Sequence, residues 1–129
     1  MTEIKSKSDR RLIVEGIVND QIAYFLMDTG ASVSLIDKNQ RHDYNLTVGR
    51  KYNGSIIGAG GSVATPRVCN TFAYIGNKTF SQFLMTDLSD IVDSIEHETG
   101  IRILGIIGLP QMKFNGIIID INDDMIILE

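Results

Sequence analysis

Apolar and polar residues alternate over short runs through most of the chain, the period-two pattern of β-strands. Leu12–Val18 and Ile22–Met27 flank Asn19-Asp20, a residue pair suited to a two-residue hairpin turn. Ser34–Ile36 is a short strand after a polar break. Ser55–Ile57 and Ser62–Thr65 flank Gly58-Ala59-Gly60-Gly61, which predicts a second hairpin with a pliable tip. Val68–Ile75 and Thr79–Thr86 around Gly76-Asn77-Lys78 predict a third. The period then changes: Leu88, Ile91, Val92 and Ile95 form a helical stripe, with Asp87 or Ser89 to cap its start and Gly100 to end it. A strand over Ile101–Ile107 is interrupted by Gly105, and Gly108-Leu109-Pro110 suits the first turn of a second helix. Ile117–Ile121 and Met125–Leu128 around Asn122-Asp123-Asp124 predict a last hairpin. The pattern predicts a mainly β fold, a closed or nearly closed barrel with one or two short helices. It reads as one domain over residues 1–129, with residues 1–10 a mobile polar tail.

Composition narrows the function. The chain is 43% hydrophobic and 22% charged, enough apolar substance for a core. Its net charge of −4 argues against nucleic acid as a partner, since a phosphate binder needs a cationic surplus. Lys5, Lys7, Arg10 and Arg11 form a basic cluster near the N-terminus, read as solvated tail. The Leu12–Val18 run, broken by Glu15 and Gly16, is too short for a signal core or a membrane span, so a soluble, cytoplasmic chain without membrane partners is expected. Cys69 is the single cysteine and leaves no intrachain disulfide, compatible with a reducing compartment. His42 and His97 stand far apart and no cysteine pair exists, so neither a metal site nor a cofactor is expected.

The remaining chemistry gathers at Asp28. It follows the apolar run Tyr24-Phe25-Leu26-Met27, where an ionised carboxyl is costly without support. Thr29 and Ser32 bring hydroxyls, and Gly30 suits a tight turn that a side chain would hinder. An Asp-Thr-Gly tripeptide alone is weak, because an ordinary Asx turn reads the same way. Its context adds weight. Phe25-Leu26-Met27-Asp28-Thr29-Gly30-Ala31-Ser32-Val33-Ser34 resembles the catalytic turn of the retropepsins, the retroviral-type aspartic proteases. Ile56-Ile57-Gly58-Ala59-Gly60-Gly61-Ser62-Val63 resembles their glycine-rich flap, and Ile103-Leu104-Gly105-Ile106-Ile107-Gly108 their second apolar-glycine element.

The resemblance, spanning roughly Leu12 to Leu128, implies catalytic roles for Asp28, Thr29 and Gly30 in hydrolysing a polypeptide substrate. It implies substrate contacts from Met27, Ser32, Ile57, Gly58, Ala59, Gly60, Gly61, Val63 and Ile106. The chemistry needs two carboxyls sharing a proton, and no other aspartate here has the required context, so a homodimer pairing two copies of Asp28 is expected. The apolar C-terminal hairpin is open to two readings: inner strands of one subunit, or a dimer sheet, to which family usage tips it. Retroviral members usually place an acidic residue and an arginine where this chain has Ser32 and Leu109, so that corner must hold without an ion pair. Residues 87–102 are longer than in a minimal retroviral chain, and expected to cover a barrel end or alter the dimer contact. The alternative function is a binding or dimerisation module with little catalysis.

Overall fold

The computed structural model describes residues 1–53, 56–57, 63–64 and 66–129, the two short pairs by their backbone. In chain order the strands are β1 (Thr2–Lys5), β2 (Ile13–Val18), β3 (Gln21–Asp28), β4 (Ser34–Asp37), β5 (Val48–Lys51), β6 (Ile56–Ile57), β7 (Val63–Ala64), β8 (Arg67–Cys69), β9 (Ala73–Ile75), β10 (Lys78–Phe80) and β11 (Phe83–Thr86). Helix α1 (Ser89–Thr99) follows, then β12 (Gly105–Gly108), helix α2 (Leu109–Phe114), β13 (Ile117–Asp120) and β14 (Met125–Leu128).

Nine strands form one sheet in the order β10-β9-β2-β3-β12-β4-β11-β8-β5, and β1-β14-β13 form a second. The expected mainly β fold with two short helices is present. Closure is not: among the described residues the large sheet ends at β10 and β5. The β6–β7 pair forms the predicted second hairpin, whose tip, residues 58–62, lies outside the described residues.

Alternation explains the centre of the sheet. Phe25 and Met27 of β3, Ile36 of β4, Met85 of β11 and Ile107 of β12 point into one core cluster. Leu26, Leu35, Leu84 and Ile106, their chain neighbours, point into the other. Strands covered on both faces are apolar at successive positions, which is why they read as continuous runs. The first core is closed by Ile126 and Leu128 of β14. The second is closed by α1 through Val92 and Ile95. Residues 87–102 are therefore the lid of a core. Gly100, left-handed at φ 78°, ends α1 as expected and returns its N–H to the Glu96 carbonyl at 2.8 Å.

Three sequence expectations change. The N-terminal residues are not a loose tail: β1 pairs along β14, and Arg11 grips Glu98 through two 3.1 Å hydrogen bonds. Polar composition hid this because the outward positions of an edge strand are polar in any case. The third hairpin breaks in two at residues 70–72 and 81–82, where β9 turns to pair with β2 while β11 pairs with β4. The strand expected over 101–107 is regular only from Gly105. By contrast Asn19 and Asp20 take φ of 48° and 65°, the left-handed pair that the β2–β3 hairpin requires.

Strand β12 runs parallel to β3 and antiparallel to β4, and lies between them. Its fit depends on Gly105, where an added Cβ would collide with the Leu35 carbonyl oxygen and lie 3.3 Å from the Ile36 Cα. Backbone cannot swing away as a side-chain tip can, so Gly105→Ala should destabilise the chain by about 1–3 kcal/mol. Urea unfolding followed by circular dichroism checks this; an unchanged midpoint would mean that β12 has room to spare.

Candidate active site

Asp28 is the last residue of β3 and lies in register opposite Gly108 of β12. Because β12 separates β3 from β4, the chain must cross the end of β12 between residues 29 and 33. That crossing sets the local chemistry. The Gly30 N–H donates to Asp28 Oδ1 at 2.9 Å, and the Ala31 N–H donates to the Asp28 carbonyl at 3.1 Å. One carboxyl oxygen is thus fixed by the turn, and the half-buried residue still reaches the surface. Gly30 is glycine for a different reason than expected. Its φ is not left-handed; a Cβ there would come to 3.2 Å from Asp28 Oδ1 and crowd the carboxyl.

The underside of the loop is equally tight. A Cβ on Gly108 would lie 2.6 Å from the Val33 carbonyl oxygen and 2.9 Å from that of Ala31. In that space the Gly108 N–H donates to Ser34 Oγ at 3.0 Å, and the Leu109 N–H donates to the Ala31 carbonyl at 2.9 Å. These two bonds hold the corner where no Ser32–Leu109 ion pair can form. Ser34 was not singled out by sequence, since a serine opening a strand looks like any turn residue.

The structure separates the other expected site residues. Thr29 and Ser32 are exposed on the loop. Met27, 6% exposed, and Ile106, 3% exposed, belong to the two cores of the single chain. Period two accounts for it: next to an outward Asp28, Met27 must point inward. Ile57 and Val63 pair in β6 and β7, and Gly58, Ala59, Gly60 and Gly61 lie outside the described residues. A cleft of 490 Å³ opens beside the loop, walled by Ser32, Val33 and Ser34 on one side and by Arg50, Thr71 and Gln111 among others. Asp28 is not part of its wall.

This geometry has known counterparts. The sequence profile described as aspartyl protease matches residues 14–110, from β2 to the first turn of α2. The chain belongs to the aspartyl protease family. A search of curated proteins returns no match. Among solved structures, the protease of EIAV complexed with the inhibitor HBY-793 is similar, with a TM-score of 0.59 at 21% identity over 82% of this chain and 88% of that one. A retropepsin-like aspartic protease from Rickettsia conorii gives 0.58 at 22% identity, covering 98% and 88%. The retroviral protease-like domain of Ddi1 from Leishmania major gives 0.56 at 15%, covering 92% and 88%. At these identities the likeness is one of fold.

A second aspartate of this aspartyl protease chain is fully buried. Asp37 ends β4 as Asp28 ends β3, but it accepts from the Leu88 N–H at 3.1 Å, the Asn39 N–H at 3.2 Å, Asn39 Nδ2 at 2.9 Å and, through its other oxygen, Gln40 Nε2 at 3.1 Å. Its lone pairs are committed to tying the start of the 87–102 segment to β4, a structural use of carboxyl chemistry. An aspartate with a polar pair following it is a helix-cap signal, and that signal could have marked it. Cys69 is buried, and burial raises its thiol pKa to about 11.

Two outcomes follow. Ser34→Ala leaves the buried Gly108 N–H without its acceptor and should cost about 1–3 kcal/mol, while Ser34→Thr keeps the oxygen and most of the stability. Equal unfolding midpoints for the two variants would show that this bond does not hold the corner. At pH 8 Cys69 in the native chain should react with a thiol reagent about 100-fold or more slowly than after denaturation, since the thiolate is the reactive form; a stopped assay with and without urea measures the ratio.

Proposed function

We propose that the chain is an aspartic endopeptidase in which two copies of Asp28, one from each subunit of a homodimer, activate a water against the peptide bond. The observation that carries this reading is the Asp28 turn: a carboxyl at a strand end, one oxygen held by the Gly30 N–H, and the residue open towards solvent. Two such carboxyls across a two-fold axis share one proton. The ionised one takes a proton from water, the protonated one polarises the substrate carbonyl, and no covalent intermediate forms. Thr29, exposed beside Asp28, is suited to hydrogen-bond across the axis.

The open β13 edge and the exposed Ile118 and Phe114 supply a surface on which a second subunit could bury apolar area. The β6–β7 hairpin serves as a flap: it closes over an extended polypeptide and excludes water. Ser32 and the 490 Å³ cleft beside the loop receive substrate residues away from the cleaved bond. The absence of Asp28 from that cleft's wall accords with a site that one chain only half encloses. A single buried cysteine suits a reducing, cytoplasmic setting.

A second reading is a binding or dimerisation module without catalysis. The observation favouring it is the corner at Ser32 and Leu109, held by one backbone bond and one bond to the Ser34 hydroxyl where retroviral relatives use charge.

Incubation with an unfolded protein at mildly acidic pH separates the two. The peptidase should produce fragments, with a bell-shaped pH profile and inhibition by a pepstatin-like compound. Asp28→Asn should reduce the rate by about 1000-fold or more, because the general base is removed. Cleavage that survives Asp28→Asn would sink the peptidase assignment to this residue, and a dimer that cleaves nothing would favour the module.

A further inference from the structure

Charge is divided unevenly along the chain. None of its 16 acidic residues lies between Asp43 and Asp87, whereas Arg50, Lys51, Arg67 and Lys78 all do. In a chain of net charge −4, this leaves the strands from β5 to β11 cationic. Those strands and their connections supply most of the 490 Å³ cleft beside the Asp28 turn. Arg50 is the charged residue of the cleft wall, which contains no carboxyl. Among the described residues Arg50 forms no ion pair.

Edge position explains why β5 is charged, but not where Arg50 points. Strand β5 is a free edge of the nine-stranded sheet, and charge on an edge guards against unwanted pairing. Its register on β8 shifts, however. Val48 stands opposite Cys69 and Lys51 opposite Arg67, so Gly49 and Arg50 together face Val68 alone. A Cβ on Gly49 would lie 2.8 Å from the Val68 carbonyl oxygen, so this bulge needs its glycine. A bulge re-aims the side chain that follows it. By simple alternation Arg50 would share the face of Val48, which packs on the first core; instead it lines the cleft with Val68 and Leu84 of the second. The wall also holds two features that cost the free chain stability. Thr71, 6% exposed, has a buried hydroxyl without a hydrogen-bond partner among the described residues, and Gln82 is held at φ 62°, in the left-handed region. Departures of this kind gather at functional sites. Gln82 Oε1 accepts from Gln111 Nε2 at 3.3 Å, which leaves the Gln82 amide N–H groups as donors.

We propose that this cleft is a subsite for a glutamate side chain of the polypeptide substrate, at a fixed position away from the cleaved bond, with Arg50 as the residue that reads its charge. The assignment rests on the peptidase reading given above and narrows its substrate class to chains with an acidic residue near the cleaved bond. One guanidinium among neutral hydroxyl and amide groups matches one carboxylate, whereas a phosphate calls for more than one cation. The apolar floor of Val33, Val68 and Leu84 covers the methylenes of a glutamate, of which an aspartate has one fewer. Ser32 and Val33 belong to both the cleft wall and the loop that follows Asp28, so a substrate chain bound at the turn leads its outer residues to the cleft.

The test uses the full chain and a synthetic library of random-sequence peptides, at about pH 5.5, where a substrate glutamate is ionised. Cleaved peptides read by mass spectrometry should show glutamate favoured over glutamine by about fivefold at one fixed distance from the cleaved bond. Arg50→Gln should bring that ratio to about one, and Arg50→Lys should keep part of it. Arg50→Glu should turn the preference towards lysine at the same position, which loss of structure alone would not do. Lys78→Gln, a cation of the same segment outside the cleft, should leave the ratio unchanged; circular dichroism confirms folding of each variant. The chain carrying Asp28→Asn, immobilised, reads the cleft without cleavage: it should retain glutamate peptides over their glutamine counterparts, with the same dependence on Arg50. A wild-type chain that cleaves nothing while the immobilised chain retains glutamate peptides through Arg50 would sink the peptidase reading and leave the carboxylate-binding cleft standing. Cleavage without a glutamate preference, a preference that survives Arg50→Gln, or retention indifferent to glutamate overturns the proposal.

Discussion

Strands β3 and β4 follow one another in the chain but are not neighbours in the sheet, because β12 lies between them. Everything at the candidate site follows from that insertion. The connection from β3 to β4 must climb over the end of β12, so residues 29–33 form a raised crossing with Asp28 at its foot. The crossing rests on close backbone approach and on one side-chain hydroxyl, Ser34 Oγ. Gly105 and Gly108 let β12 come within contact of Leu35, Ala31 and Val33, and the Gly108 and Leu109 N–H groups bond upward to Ser34 Oγ and the Ala31 carbonyl. A carboxyl seated on such a platform has little freedom to drift, which is what proton transfer at a defined distance requires.

The same insertion divides the hydrophobic core. The central strands send alternate residues to two clusters, one sealed by α1 and one by the β1-β14-β13 sheet. The 87–102 segment and the chain termini, which look like additions to a minimal domain, therefore seal the platform from either side. Asp37 links the two levels: its buried carboxyl fastens the start of the 87–102 segment to the end of β4. Disturbance of the lid would in this way reach the strand that receives the crossing loop.

Much of this was legible in the residues. The alternation marked most strands, the 88–95 stripe marked α1, and the company kept by Asp28 marked the candidate site. What stayed hidden is physical in each case. Apolar type does not reveal the face, so the division of Met27 and Ile106 between two different cores could not be read from the sequence. The polar N-terminus looked unstructured because β1 gains its order from backbone bonds to β14, to which composition is blind. Asp37 looked ordinary because its role depends on Leu88, distant in sequence, and Ser34 because its partner is an N–H on another strand. Closure of the barrel is not found among the described residues: hairpin spacing says which strands follow one another, not whether the outermost pair meets.

Family membership and fold are established by the match over residues 14–110 and by the retropepsin-like neighbours. The central claim that goes further is that Asp28 is half of a catalytic pair. The most direct measurement is the separation of the two Asp28 carboxyls in a crystal of the full chain, together with sedimentation at the same pH. The account predicts a dimer with the carboxyls about 3 Å apart across a two-fold axis, close enough to share a proton. A monomer in solution whose Asp28 faces only solvent in the crystal would contradict it.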